Sequence, residues 1–288
     1  MANGILIVNK PSGWTSQDVV AKLRGVFREK RVGHGGTLDP MATGVLPVFL
    51  GRATRAVEFF EHAEKEYRAT LRLGVSTDTQ DVTGTVLEIR PVSLSQAEIE
   101  AVFPQFRGEI EQIPPMYSAV KVAGKRLYEI ARRGGTVERK PRSITIHALE
   151  LISGAGADWQ LRVRCSKGTY IRTLCADIGE ALGCGGCMAA LERTAAGAYG
   201  LAQAHTMEEI LAAEDKASLL LPTDSLFSAF PAVQVERVAE QRLRNGAPVR
   251  VPGLPDGSCR VYSQSGEFLL LGRVREERLD TVKSFFEV

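Results

Sequence analysis

The sequence predicts an α+β protein, with a large mixed domain over residues 1–228 and a small β-rich one over residues 229–288. Three observations carry this reading. Stretches with apolar residues at helical spacing are interleaved with short runs that alternate or are continuously apolar, so helices and strands share one body. The segment "LLPTDSLFSAFPAVQV" sets two prolines among small polar residues and breaks the chain about sixty residues before its end. After that break the chain is mostly short strand-like runs. At 288 residues, with 44% hydrophobic and 24% charged, the chain can bury a substantial core.

The first element is "GILIVNK", a strand from about Gly4 to Asn9 that ends in a Pro-Ser-Gly turn. Thr15 with Asp18 three residues on makes a capping box, after which Val19, Val20, Leu23, Val26 and Phe27 repeat at helical spacing. "GHGGTLDPMATGVLPV", residues 33–48, is too rich in glycine and proline for a helix or a central strand, and reads as a tight, shaped loop with Asp39 in its middle. "KEYRATLRLGVSTDTQDVTGTVLEI" reads as two strands around a turn near Asp78 to Gly84. "SLSQAEIEAVFPQFRGEI" is a helix capped by Ser95 and Glu98, with Pro104 near its end.

The basic segment "KVAGKRLYEIARRGGTVERKPR" has a short helical core at Leu127, Ile130 and Ala131, flanked by Gly124 and by Gly134 and Gly135. It is an insertion able to move as a unit. "IHALELI" and "WQLRVRCSKG" read as strands, and "TYIRTLCADIGEALG" as a helix with Ile171, Leu174, Cys175, Ile178 and Leu182 on its apolar face. Arg172 falls off that face, in the first turn, where the macrodipole does not favour a cation and a surface position is the expectation. The last sixty residues read as a helix, "ERVAEQRLRNG", stopped by Gly246, then strands "SCRVYS", "EFLLLGRVR" and "VKSFFEV".

No apolar run approaches the ~20 residues of a membrane helix. The N-terminal apolar stretch is too short for a signal peptide, so a cytoplasmic location is expected. Five cysteines, an odd number without an export signal, argue for reduced thiols. Cys184 and Cys187 have the spacing of half a zinc site, but there is no second pair, and His34, His62, His147 and His205 show no paired ligand spacing. No metal is expected. The net charge is only +2, yet residues 1–36 carry +4 and residues 120–142 carry +6, leaving −8 on the rest. Clustered cations on an otherwise acidic chain suggest a polyanion footprint, against the plainer alternative of two solvated faces.

Read together and in this order, "GHGGTLDPMATGVLP", "KEYRATLRLGVSTDTQD", "IPPMYSAVKVAGKRLYEIARRG" and "CSKGTYIRTLCADIGEALG" closely resemble the bacterial TruB family, the tRNA pseudouridine-55 synthases, over nearly the whole main body. The resemblance implies the pseudouridine synthase fold, a bent, mostly antiparallel mixed sheet flanked by helices. It implies a catalytic set of Asp39, Tyr67 and Arg172, with Arg172 paired to the aspartate. Residues 115–142 would form a thumb over the tRNA T loop, contributing Lys121, Lys125, Arg126, Arg132 and Arg133 to RNA binding. Lys10, His34 and Leu191 would line the RNA-binding site, and residues 229–288 would be a PUA-like RNA-binding domain. The partner implied is tRNA, through its T arm, bound by a monomer. The chain departs from the family at Cys187 and Glu192, where a histidine and an "LRRT"-like run are usual, although Leu191, Arg193 and Thr194 fit. An acid at 192 is expected to weaken a phosphate contact.

The chemistry agrees independently. Isomerising uridine breaks the N1–C1′ bond, turns the uracil and joins C5 to C1′ with no net oxidation, so no cofactor is required. The reaction needs a carboxylate that attacks the sugar, attacks the ring or removes a ribose proton, and these stay open. An ordinary aspartate, with a pKa of ~3.9, is ionised at neutral pH, and a neighbouring Arg172 is expected to lower it further. Glycines around Asp39 would let the backbone approach a nucleotide closely. The target base must be flipped out at a cost of roughly a few kcal/mol, of which stacking on Tyr67 would return ~1–3 kcal/mol. The phenol of Tyr67 could also help remove the C5 proton.

Three other readings compete. A tRNA-binding folding chaperone would use the same basic surfaces without chemistry. A glycoside hydrolase needs a second paired acid, and nothing in the sequence aligns Asp78 or Asp81 with Asp39. A dyskerin-type, guide-dependent synthase shares the aspartate motif, but the long basic insertion fits an enzyme that reads tRNA directly.

Overall fold

The computed structural model describes residues 2–287 except 119, 123 and 132, and only the backbone of Lys121, Val122, Lys125 and Arg126. The main body is built on one mixed sheet. Strand β1 (Gly4–Lys10) leads into helix α1 (Ser16–Phe27), whose N-cap Thr15 and Asp18 form the expected capping box. Strands β2 (Val32–His34) and β3 (Thr43–Leu50) flank the loop that carries Asp39, and a 3-10 turn and short α2 (Val57–Phe60) come next. Residues 43–48, expected to belong to the loop, are therefore strand. Pro47 is accommodated there because its carbonyl still accepts the Gly35 N–H, at 2.8 Å.

Strand β4 (Lys65–Leu73) buries every second residue from Lys65 to Leu73. The turn region then folds out of the sheet as a separate ribbon of β5 (Val75–Thr77) and β6 (Val86–Ile89). Helix α3 (Gln96–Ala101) keeps its Ser95–Glu98 capping box but is short, with Pro104 inside the 3-10 turn after it. Strand β7 (Gly108–Gln112) precedes the basic insertion, which contains β8 (Lys121–Val122), β9 (Lys125–Arg126) and α4 (Leu127–Ala131). Strands β10 (Arg142–Ala155) and β11 (Asp158–Cys165), helix α5 (Ile171–Ala181), strands β12 (Gly186–Ala196) and β13 (Tyr199–Gly200), and helix α6 (Met207–Ala212) complete the body.

The sheet order is β1-β3-β12-β4-β11-β10-β7, with β2 on β3 and β13 on β12. Every pairing is antiparallel except β3 with β12, which join in parallel at Glu192–Thr43 and Arg193–Gly44. Bulges in β10 and β12, the latter between Arg193 and Ala195, bend the strands where they occur. Strand β1 is buried on both faces. Leu6 and Val8 enter the main core against α1 and α5, and Ile5 and Ile7 enter a second core on the other face.

That second core holds Phe49, Phe60 and Phe227 together with Leu271 and Phe285 of the C-terminal β-rich domain. There, β14 (Ala232–Gln234), α7 (Arg237–Arg244), β15 (Val249–Arg250), β16 (Gly257–Tyr262), β17 (Phe268–Arg275) and β18 (Arg278–Ser284) form a five-stranded sheet in the order β14-β16-β17-β18-β15. The five cysteines are free and buried. Among the described residues no helix is long and apolar enough to cross a membrane, and no cluster of His, Cys, Asp or Glu could hold a metal ion.

Candidate active site

Asp39 lies in the loop between β2 and β3, and the loop is pinned on either side of it. The Leu38 N–H donates to Ser16 Oγ at 2.9 Å. The Pro40 carbonyl accepts from Gly13 N–H at 2.8 Å and from Lys10 Nζ at 3.2 Å. Lys10 is fully buried and also donates to the carbonyls of Trp14 (2.6 Å) and Pro11 (2.9 Å). Burial lowers its pKa to about 8, with Asp39 opposing that shift. Lys10 therefore sits beneath the loop as its tie, and is not on a surface that a phosphate could touch.

Two glycines of this stretch, Gly35 and Gly44, answer to the protein's own packing. A Cβ on Gly35 would stand 2.4 Å from the Phe60 ring, and one on Gly44 would stand 2.3 Å from the Arg193 carbonyl oxygen. Close approach to a nucleotide is not needed to explain these two, whereas a Cβ on Gly33 would meet nothing within 4 Å.

Arg172 is the second residue of α5 and only 5% exposed, contrary to the surface position expected. Its helix is anchored by Gln112, whose side-chain oxygen accepts the Tyr170 N–H at 2.8 Å while its amide donates to the Tyr170 carbonyl at 3.0 Å. The guanidinium is thereby turned inward. Its Nε stands 2.9 Å from Asp39 Oδ2 and its Nη2 3.4 Å from Oδ1, a forked pair. Its other donors reach the Thr79 carbonyl (3.2 Å), the Tyr117 carbonyl (2.9 Å) and Asp81 Oδ2 (3.5 Å).

Asp81 is the residue that the sequence alone does not align with Asp39. It is 4% exposed, and its Oδ1 accepts from Thr79 Oγ1 and the Thr83 N–H at 2.8 and 2.9 Å. Arg172 joins it to Asp39, although the ribbon turn carrying it gives no periodic signal in the sequence. Because burial outweighs the neighbouring guanidinium, the expected lowering of the Asp39 pKa does not occur. Burial pushes the Asp39 carboxyl up, Arg172 pulls it down, Asp81 pushes it up again and Lys10 opposes, with a net upward shift. The Asp39 side chain is still 34% exposed, so a substrate can reach it.

Tyr67 projects from β4 into the core face at 9% exposure, paired in register with Val163 of β11 and Arg193 of β12. Burial holds its phenol above the ordinary range, against the pull of the nearby Arg193 guanidinium. It stays protonated at neutral pH. Leu191 is buried two residues before Arg193 on the same face, opposite Ala69. His34 Nε2 lies 3.4 Å from Gln17 Nε2, and burial, then the nearby Arg193, lowers its pKa, so it is neutral at physiological pH.

Glu192 points to the opposite face, where it sits directly across from Arg68 and pairs with it at 3.4 Å. Strand alternation thus removes it from the site, and the expected effect on a phosphate contact loses its basis. Cys187 is buried across from Arg72. Of the insertion's basic residues, Arg132 and the side chains of Lys121, Lys125 and Arg126 lie outside the described residues; Arg133 is exposed.

Chemically, the site offers one accessible carboxylate, oriented by a buried guanidinium fork and bordered by a buried aromatic ring. The basic insertion begins at the same guanidinium. An accessible, oriented carboxylate of this kind can act as a nucleophile or as a general base. The family model of the TruB family pseudouridylate synthase N-terminal domain matches residues 24–171, and that of the tRNA pseudouridylate synthase B C-terminal domain matches residues 172–228. The chain is 46% identical to tRNA pseudouridine synthase B of Pseudomonas fluorescens (strain Pf0-1), over 96% of this chain and 92% of that protein. It is 45% identical to the protein of the same name from Azoarcus sp. (strain BH72), over 94% and 91%. Among solved structures it resembles a chain of a Cbf5-Nop10-Gar1 complex, with a TM-score of 0.75 and 27% identity over 99% of this chain and 85% of that one. A chain of an H/ACA RNP bound to a substrate RNA containing 2′-deoxyuridine gives a TM-score of 0.74 at 26% identity over 99% of this chain and 85% of that one. The chain belongs to the TruB family of pseudouridylate synthases.

Proposed function

We propose that this protein isomerises a uridine of tRNA to pseudouridine, at position 55 of the T loop, with Asp39 as the essential carboxylate. The observation that carries the reading is the Arg172 fork on an accessible Asp39 at 2.9 Å, inside a chain of this family. The named activity of its relatives supports the substrate class. The target base leaves the T loop and stacks on Tyr67. Burial keeps the phenol protonated at neutral pH, and the ring serves as the platform for the base. Residues 115–142 grip the T arm through clustered cations, and residues 229–288 act as a PUA-like RNA-binding domain. The protein works as a cytoplasmic monomer.

The test is tritium release from C5-labelled uridine in an unmodified tRNA transcript, with no cofactor added, comparing wild type with Asp39→Asn. Stoichiometric release by the wild type that maps to the T loop, and none by a variant that still binds tRNA, is expected. Absence of release from folded wild-type protein that binds tRNA would overturn the enzyme reading in favour of a folding chaperone.

A further inference from the structure

Arg193 has the largest of the fully buried side chains, at 1% exposure, and no carboxylate among the described residues pairs with it. A guanidinium keeps its charge in any protein environment, so this is a permanent buried cation. Stability alone does not account for it, since an unpaired buried charge is costly and an apolar side chain of similar volume commonly serves a core as well or better. What it touches suggests the reason. Its Nε donates to the Val45 carbonyl at 2.7 Å, on the strand leaving the Asp39 loop. Its Nη2 donates to the Gly36 carbonyl at 3.2 Å, on the approach to Asp39. Its register partner on the neighbouring strand β4 is Tyr67.

We infer that Arg193 is a positioning residue for the reaction, one planar fork that ties both ends of the Asp39 loop together and, through the register of β12 with β4, to the strand that carries Tyr67. The backbone is built to admit it. Gly44 pairs with Arg193 in parallel across β3 and β12 at φ +99, where a side chain would collide with the Arg193 backbone. The frame matters because the carboxylate and the aromatic platform come from different strands. A relative shift of 1 Å between such groups costs on the order of 10²-fold in rate. A lysine keeps the charge but lacks the planar fork that reaches the Val45 and Gly36 carbonyls together.

This assignment rests on the proposed isomerase activity, and the experiment separates the two. Conversion of unmodified tRNA transcript is measured with enzyme in excess, and the rate constant is taken at saturating enzyme, where a loss of folded fraction does not alter it. Arg193→Lys is expected to lower that constant about 10-fold and Arg193→Met about 100-fold, given the cost of misplacement. The tRNA dissociation constant should stay within about twofold, because the guanidinium does not reach the surface. A converting wild type whose rate constant the folded lysine variant matches overturns the positioning role and leaves the activity standing, whether or not the methionine variant folds. Equal losses in rate constant and in tRNA affinity also overturn it. A folded wild type that binds tRNA and converts none overturns the activity, and the positioning role with it.

Discussion

Asp39 is held between groups that pull its proton affinity in opposite directions, and the pH dependence of turnover reads which of them acts. Its carboxyl is raised above the ordinary 3.8, burial acting first and Asp81 adding to it, while Arg172 and Lys10 work the other way. The reactive form is the carboxylate, so activity is expected to fall as pH drops through a value higher than that of a free aspartate. Asp81→Asn removes a negative neighbour and should move this acid limb to lower pH. Arg172→Met removes a positive one and should move it to higher pH, along with a large loss of rate from the missing fork. Tritium release measured across the acid range checks both; shifts in the same direction for the two variants would sink the account. The Asp39 and Tyr67 motifs were legible in the sequence because the residues that make up each stand next to one another in the chain. The burial of Arg172 was not, because it depends on Gln112, 60 residues earlier, anchoring the start of α5. Asp81 was missed for the same reason, since only the folded ribbon turns it toward Arg172.

At the scale of elements, the site depends on β3 and β12 lying side by side in parallel, the one parallel contact in a sheet that is otherwise antiparallel among the described residues. Gly44 makes that contact possible. Its φ of +99 is strained for any residue with a side chain, and a Cβ would stand 2.3 and 2.8 Å from the Arg193 carbonyl oxygen and nitrogen. Both are backbone atoms and cannot swing aside. Gly44→Ala is therefore expected to cost about 2–4 kcal/mol in denaturant unfolding and to lower turnover through displacement of the Asp39 loop. A variant as stable and active as wild type would show that the two strands separate easily. The helices α1 and α3 were readable from their capping boxes, which are local in sequence. The loop is shorter than its composition suggests because Pro47 argues against a strand, whereas the folded sheet uses only its carbonyl there. The side on which Glu192 falls was readable only once β12 had a register.

At the scale of the whole molecule, the main body and the C-terminal domain share a core. Phe227 is 3% exposed and packs edge-on against Phe59 at 5.3 Å, while meeting Phe268 and Phe285 of the C-terminal domain at 6.2 and 5.8 Å. Arg55 donates to the Ser284 carbonyl at 3.1 Å, and Lys283 pairs with Glu58 at 2.6 Å, so polar contacts rim the aromatic cluster. Surface ion pairs of this kind contribute little, about 0–1 kcal/mol each, and the aromatic packing dominates. Wild type is expected to unfold in one calorimetric transition, with the two bodies stabilising each other. Phe227→Ala removes the ring common to both and should cost about 3–5 kcal/mol, separating the trace into two transitions. Because Phe49 and Phe60 belong to the same cluster, and the Phe60 ring lies against Gly35 at the start of the Asp39 loop, the variant should also lose turnover at temperatures where its tRNA binding persists. Two transitions already present in the wild type would instead mean that each domain stands alone and that the shared aromatic cluster does not couple them.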